Sequence, residues 1–146
     1  MSPENSVVAS GPLGIVVRMS QAAAQASAFY GEVAKTRRLW SIRDANGFPA
    51  PETPEGRAMP FWSSLARVER IVESVPAYVG LSPVELTWDD FSSTWLPSLE
   101  RDGLRVGLNW TGDRAIGYDL APSEVRTNIE RAIESLSSGV TGPRPQ

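Results

Sequence analysis

The chain has 146 residues, with 14 Lys and Arg against 17 Asp and Glu and no histidine or cysteine, a length that suits one domain with one core. The net charge of −3 argues against nucleic acid as a partner, because phosphate binding needs clustered Lys and Arg. Without histidine and cysteine the usual nucleophiles, metal ligands and near-neutral acid/base groups are missing. We therefore expect no cofactor and no metal.

Residues 1–19 are expected to form an N-terminal extension. Their apolar runs are short, Ser10-Gly11-Pro12 interrupts them, and no basic residue precedes them. The segment is thus neither a signal peptide nor a membrane span of about 20 apolar residues, although residues 13–17 are an alternative edge strand. We expect a cytoplasmic protein with no membrane partner, which the absence of cysteine fits.

The first half of the chain changes from helical to strand periodicity. Ser20 is expected to cap a helix over residues 21–35. The apolar face of this helix carries Ala26, Phe29, Tyr30 and Val33. Alternation then predicts a strand over residues 38–44, and Asn46-Gly47 predicts a tight turn into a hairpin partner at residues 48–50.

A proline-rich loop follows, with prolines at positions 49, 51 and 54. Residues 57–62 then read as a short strand, and Pro60 indicates either a sheet edge or the end of the strand. Ser63 is expected to cap a second helix, which Pro76 ends. The apolar side of this helix carries Leu65, Val68, Ile71, Val72 and Val75.

The second half begins with a strand predicted over residues 84–88. Thr87 begins a third helix, which Pro97 is expected to kink or split, and Gly103 supplies the left-handed stop. Residues 104–110 and 115–120 are predicted to pair as a hairpin around Thr111-Gly112-Asp113.

The last helix is predicted to begin at Pro122, a favourable first helical position. Residues 138–146 are expected to be a flexible tail. Residues 20–137 would then form a single compact α+β domain, with helices packed on a mostly antiparallel sheet.

Several spaced phrases resemble a known family. They are Phe29-Tyr30 with Val33, Leu39-Trp40, Pro60-Phe61-Trp62-Ser63, Trp95-Leu96-Pro97 with Leu99, and Asp102-Gly103 with Val106-Gly107. Over residues 21–132 the chain is similar to the bacterial family called domain of unknown function 2750. The resemblance implies a compact bacterial α+β domain, and it implies no activity, catalytic residue or cofactor.

Few residues are candidates for chemistry. Ser63 stands at a helix start with no histidine to activate it, so capping is the expected role. Asp89 and Asp90 are adjacent on a helix and point in different directions, so stabilisation of the helix N-terminus is favoured over a shared site. No recognisable catalytic constellation is present, and we expect no enzyme.

The five tryptophans are expected to be mostly core residues, and Trp110, at a hairpin tip, is the one least expected to be buried. An exposed group of them would mark a partner surface. The predicted interaction surface consists of Trp62, Ser63, Trp88, Asp89, Asp90, Trp110 and Asp113.

Two functions remain open. The leading hypothesis is a non-catalytic protein-interaction module, of which a toxin-neutralising immunity protein is one form. The alternative is a small-molecule or carbohydrate-binding domain, or a small enzyme, with a cleft lined by at least two tryptophans and two carboxyl groups. The sequence leaves the partner and the oligomeric state undetermined.

Overall fold

Two long helices, α1 (Pro12–Thr36) and α5 (Pro122–Thr141), pack against each other along one side of the protein. The computed structural model describes residues 12–112 and 117–141, with side chains over residues 22–112 and 117–137. The predicted start of α1 at Ser20 is wrong, because proline at the first helical position lets the helix begin earlier. Residues 13–17 accordingly belong to α1 and form no edge strand.

The first sheet joins β1 (Arg38–Arg43) to β4 (Ser82–Thr87) in antiparallel register, from Arg38 opposite Thr87 to Arg43 opposite Ser82. The predicted hairpin from β1 into residues 48–50 is wrong. The Asn46-Gly47 turn does form, but it closes only a single bridge between Asp44 and Gly47. Prolines at positions 49 and 51 lack the N–H donors that a longer ladder needs.

The second sheet has the order β2-β3-β5-β6. Its strands are β2 (Glu52–Thr53), β3 (Gly56–Phe61), β5 (Arg105–Leu108) and β6 (Asp119–Leu120). Strands β3 and β5 run parallel and the other pairs antiparallel, which confirms the predicted pairing of β5 with β6. Strand β3 is internal to the sheet, and Pro60 lies next to its last residue, so of the two predicted positions the strand end is the one observed. Because β2 pairs only with Gly56 and Arg57, Pro60 lies beyond that ladder.

Helix α2 (Leu65–Ser74) is capped by Ser64, whose hydroxyl accepts the N–H of Arg67, so the predicted cap at Ser63 is wrong. A 3₁₀ turn (Pro76–Tyr78) follows. Next, α3 (Trp88–Asp90), a π-helical turn (Phe91–Trp95) and α4 (Leu96–Arg101) run into one another. The wide π turn ends two residues before Pro97, which has no N–H to donate backwards, so the helix is distorted before the proline but continues through it and is not split.

The core has two clusters of buried side chains. The larger one lies between α1, α5, the helix of residues 88–101 and the second sheet, and Phe61 and Phe91 meet there edge to face at 4.9 Å. The smaller one lies under α2 and contains Trp62, Tyr78 and Trp110. The predicted α+β class is confirmed. Among the helices that the structure describes, none is both long and apolar enough to cross a membrane.

Candidate functional site

The three tryptophans of the predicted interaction surface are interior residues. Trp62, Trp88 and Trp110 are 0, 8 and 3% exposed, so the expectation that Trp110 escapes burial is wrong. Trp62 and Trp110 lie in the smaller core cluster and Trp88 in the larger one. The structure thus leaves the three indoles of the predicted surface inside the domain.

The polar members of that predicted surface lie apart. Asp89 and Asp90 are exposed in the first turn of α3, which fits a role at the helix N-terminus. Ser63 is buried, and Asp113 lies outside the described residues.

Trp110 is buried because the backbone comes unusually close to its ring. A Cβ atom on Gly107 would lie 2.5 Å from Trp110 Cε2, so only glycine fits there. The indole N–H of Trp110 donates to the carbonyl of Tyr118, and that of Trp62 donates to the carbonyl of Trp110. A glycine in the middle of a strand is a sequence signal for such close approach.

Ser63 belongs to a buried polar cluster. Its hydroxyl donates to Glu32 over 2.6 Å, and Arg67 holds the same carboxylate with two further hydrogen bonds. The hydrogen bonds from Arg67 lower the pKa of Glu32, so this carboxylate is a weak base. A buried hydroxyl beside a weak base is poorly suited to nucleophilic attack, and the cluster instead joins α1, α2 and the end of β3.

Asn109, which the sequence interpretation missed, completes this cluster. Its backbone has the left-handed φ of 52°. Its side-chain oxygen accepts the main-chain N–H of Ser63, and its amide donates to the Ser63 hydroxyl over 2.9 Å. Asparagine directly after a strand was the available signal, because it tolerates this conformation better than most residues.

The main concavity is a groove of about 760 Å³ between the proline-rich segment around β2 and the 3₁₀ turn. We call it the proline groove, and its lining includes Pro49, Pro51, Pro54, Pro76, Tyr78 and Trp110. Burial raises the pKa of Tyr78. The sequence interpretation missed this groove, because these prolines read only as signals of loops and helix ends.

A second depression of about 370 Å³ lies beside the proline groove and shares Pro49 and Ala77 with it. We call it the hairpin pocket, because the turn at Asn46 and Gly47 forms one wall. Val79, which is 66% exposed, lines its other side. The two depressions together offer a long, mostly apolar surface.

The charged residues that line the two depressions are all acidic within the part of the chain that the structure describes. They are Asp44 in the hairpin pocket, and Glu52 and Asp119 in the proline groove. Asp119 is paired with Arg105 at 2.6 Å. Among the described residues, Glu52 and Asp44 take part in no ion pair.

The lining of the proline groove can be compared with the predicted cleft, which required at least two tryptophans and two carboxyl groups. Glu52 and Asp119 supply the carboxyl groups, but Trp110 is the single tryptophan among the described lining residues. Trp62 and Trp88 pack inside. Over the same residues, no group of three or more carboxylates is arranged to hold a metal ion.

A family model settles which family this chain resembles. The model described as "Protein of unknown function (DUF2750)" matches residues 26–129, more than two thirds of the chain. The chain belongs to this family. The DUF2750 match runs from α1 to α5 and includes every residue named above as lining the two depressions. No curated protein and no solved structure matches the chain.

Proposed function

We propose that this DUF2750 domain is a non-catalytic protein-interaction module that binds a segment of a partner protein in the proline groove. The observation that carries the proposal is the groove itself, whose mostly apolar lining includes polar groups that have no partner among the described residues. Glu52 has no ion pair, and the Tyr78 hydroxyl makes no hydrogen bond with any described residue. Apolar walls with a few convergent polar groups are typical of binding sites.

The protonation states in the groove support binding over catalysis. Burial raises the pKa of Tyr78, which lines the groove, from its usual 10.0 and so away from neutral pH. A general acid or base works best with a pKa near the operating pH. The phenol is therefore better suited to donating a hydrogen bond to a ligand than to accepting a proton from one.

The groove favours binding through the side chains of the partner and disfavours the addition of a partner strand to the sheet. The sheet edge beside it is β2, which has only two residues. Pro51 and Pro54 flank β2 and have no N–H to donate. Prolines and very short edge strands oppose the addition of a further strand, so the partner would be held by its side chains between the proline rings and Tyr78.

A small apolar molecule is the second candidate, and the size of the groove favours it. The volume of about 760 Å³ falls within the roughly 300–1,000 Å³ that is usual for small-molecule sites. A compound that raises the melting temperature of the wild-type chain, but not of a variant with a filled groove, would support this candidate.

The proposal includes a bacterial, cytoplasmic setting, which suits a chain without cysteine. An immunity protein that covers a functional surface of a toxin would be one form of such a module. Fractionation of bacterial cells that carry the gene tests the setting, and recovery of the protein outside the cytoplasm would contradict it.

Selection from a random peptide library displayed on phage tests the function. Ala77 is exposed and lines both depressions, so Ala77→Trp fills the groove without disturbing the core. Ala66→Trp, at an exposed site on α2 that lines neither depression, is the matched control. We expect the selection to yield peptides that bind the wild type and Ala66→Trp but do not bind Ala77→Trp. Peptides that bind all three equally, or no enriched peptide at all, would contradict the proposal.

A further inference from the structure

We infer that the partner segment is basic, with arginine or lysine side chains alternating with small apolar ones along an extended stretch. This inference rests on the proposed function, because it names the chemistry of what occupies the same groove. It adds the sign of the charges around the two depressions and the kind of side chain that their walls can hold.

The charges are the first argument. Asp44 and Glu52 line the two depressions without an ion pair to any described residue. Among the described residues, Arg105 and Arg57 lie close by, and both are hydrogen-bonded to other groups. Arg105 holds Asp119 and its carbonyl, and Arg57 donates to the carbonyl of Ala50.

Asp119 is neutralised by Arg105, so the described lining of the two depressions carries two carboxylates without an ion pair and no positively charged residue. The chain as a whole also has a negative net charge, −3. Complementary charge steers a partner to a surface and selects against partners of the wrong sign. An acidic partner segment would be repelled from this region, whereas a basic one would be attracted.

The shape is the second argument. Arginine and lysine carry long methylene stems that pack on apolar surface while the charged head stays in water. The rings of Pro49, Pro51 and Pro54 offer such a surface beside the Glu52 carboxylate. A cation over the Tyr78 ring would gain further from the π electrons. In the hairpin pocket, exposed Val79 would cover a small apolar side chain of the partner.

Three labelled hexapeptides test the inference by fluorescence anisotropy on the full chain. They alternate valine with arginine, with glutamine or with glutamate. We expect affinity to fall in that order, with about tenfold between the first two, and the arginine peptide to weaken as salt is raised. Glu52→Gln should lower the affinity for the arginine peptide several-fold, toward the affinity for the glutamine peptide. Glu69→Gln, at an exposed site on α2, should leave both affinities unchanged.

The outcomes separate this inference from the proposed function. Equal affinity for the arginine and glutamine peptides, with both lost in Ala77→Trp, would overturn the basic partner and support the groove. An arginine peptide that binds Ala77→Trp as well as it binds the wild type would overturn both. A preference for the arginine peptide that persists in both Glu52→Gln and Asp44→Asn would also overturn the inference, because the arginine side chains would then bind somewhere other than these two carboxylates.

Discussion

Trp62 donates its indole N–H to the main-chain carbonyl of Trp110 over 2.9 Å, inside the smaller core cluster. This bond ties the residue after β3 to the segment after β5. Two tryptophans of the predicted interaction surface are thus hydrogen-bonded to each other inside the core. It also holds Trp110 in place under the proline groove, so the fold and the proposed site depend on the same contact.

Trp62→Phe is expected to destabilise the domain by about 2 kcal/mol. The substitution keeps an aromatic ring but leaves the Trp110 carbonyl without its donor, and an unpaired buried polar group costs about 1–3 kcal/mol. Chemical denaturation followed by circular dichroism measures the change. Trp40→Phe is the control, because Trp40 is only half-buried and its indole N–H bonds to no described residue. An equal loss in both variants would contradict the role of this bond.

Gly107→Ala and Gly31→Ala are expected to change stability in opposite directions. The new Cβ at Gly107 would lie 2.5 Å from the Trp110 ring, and such overpacking costs about 1–3 kcal/mol. At Gly31, in the middle of α1, nothing lies within 4 Å, so alanine should stabilise the helix by about 0.5–1 kcal/mol. Thermal unfolding of the two variants measures the sign of each change in stability relative to the wild type. Wild-type stability in Gly107→Ala would mean that the ring is not held where the structure has it.

Glu32→Gln is expected to cost about 1 kcal/mol at neutral pH. The carboxylate is 38% exposed, so solvent screens its pairing with Arg67 and the loss stays near the range of surface pairs. The hydrogen bonds from Arg67 place the folded-state pKa of Glu32 below its usual 4.5. The contribution of Glu32 is therefore complete above pH 4.5 and is lost as the pH falls through the folded-state pKa.

Urea unfolding of the wild type and Glu32→Gln across pH 3–7 measures this dependence. The stability difference between the two proteins should be constant near neutral pH and shrink in acid. A difference that grew as the pH fell would mean that the pKa of Glu32 is raised in the folded state.

Asn109→Ala is expected to destabilise the domain more than Asn109→Gly does. Both substitutions remove the three hydrogen bonds between Asn109 and Ser63. Alanine must in addition adopt the left-handed φ of 52°, which costs roughly 1–2 kcal/mol that glycine does not pay. Equilibrium denaturation distinguishes the two variants. The reverse order would show that the loop relaxes out of this conformation once the side chain is gone.

The sequence predicted those parts of the fold that local patterns determine. The helix at Pro122, the distortion of the helix before Pro97 and the stop at Gly103 all follow from the chemistry of single residues, and all three are present. Strand partners were harder to predict. A tight turn at Asn46-Gly47 favours a local hairpin, but β1 pairs with β4, and only the prolines at 49 and 51 hinted that the nearby partner would fail.

The candidate site lay beyond local patterns. The proline groove brings together residues near positions 50, 77 and 110, which no spacing in the chain connects. The tryptophans were expected to be mostly core residues with Trp110 as the exception, but Trp110 is buried as well, and its carbonyl accepts the indole N–H of Trp62. Gly107 and Gly117 were the signals of this packing in the sequence, since a glycine within a predicted strand indicates that a ring or a backbone lies close against it.

Chemical-shift mapping of the ¹⁵N-labelled full chain, titrated with a peptide selected from the phage library, tests the central claim most directly. If the proline groove is the binding site, the shifts will concentrate at residues 50–53, 77–80 and the indole N–H of Trp110, and Ala77→Trp will abolish them. Shifts centred on the outer faces of α1 and α5, with the groove unchanged, would contradict the account.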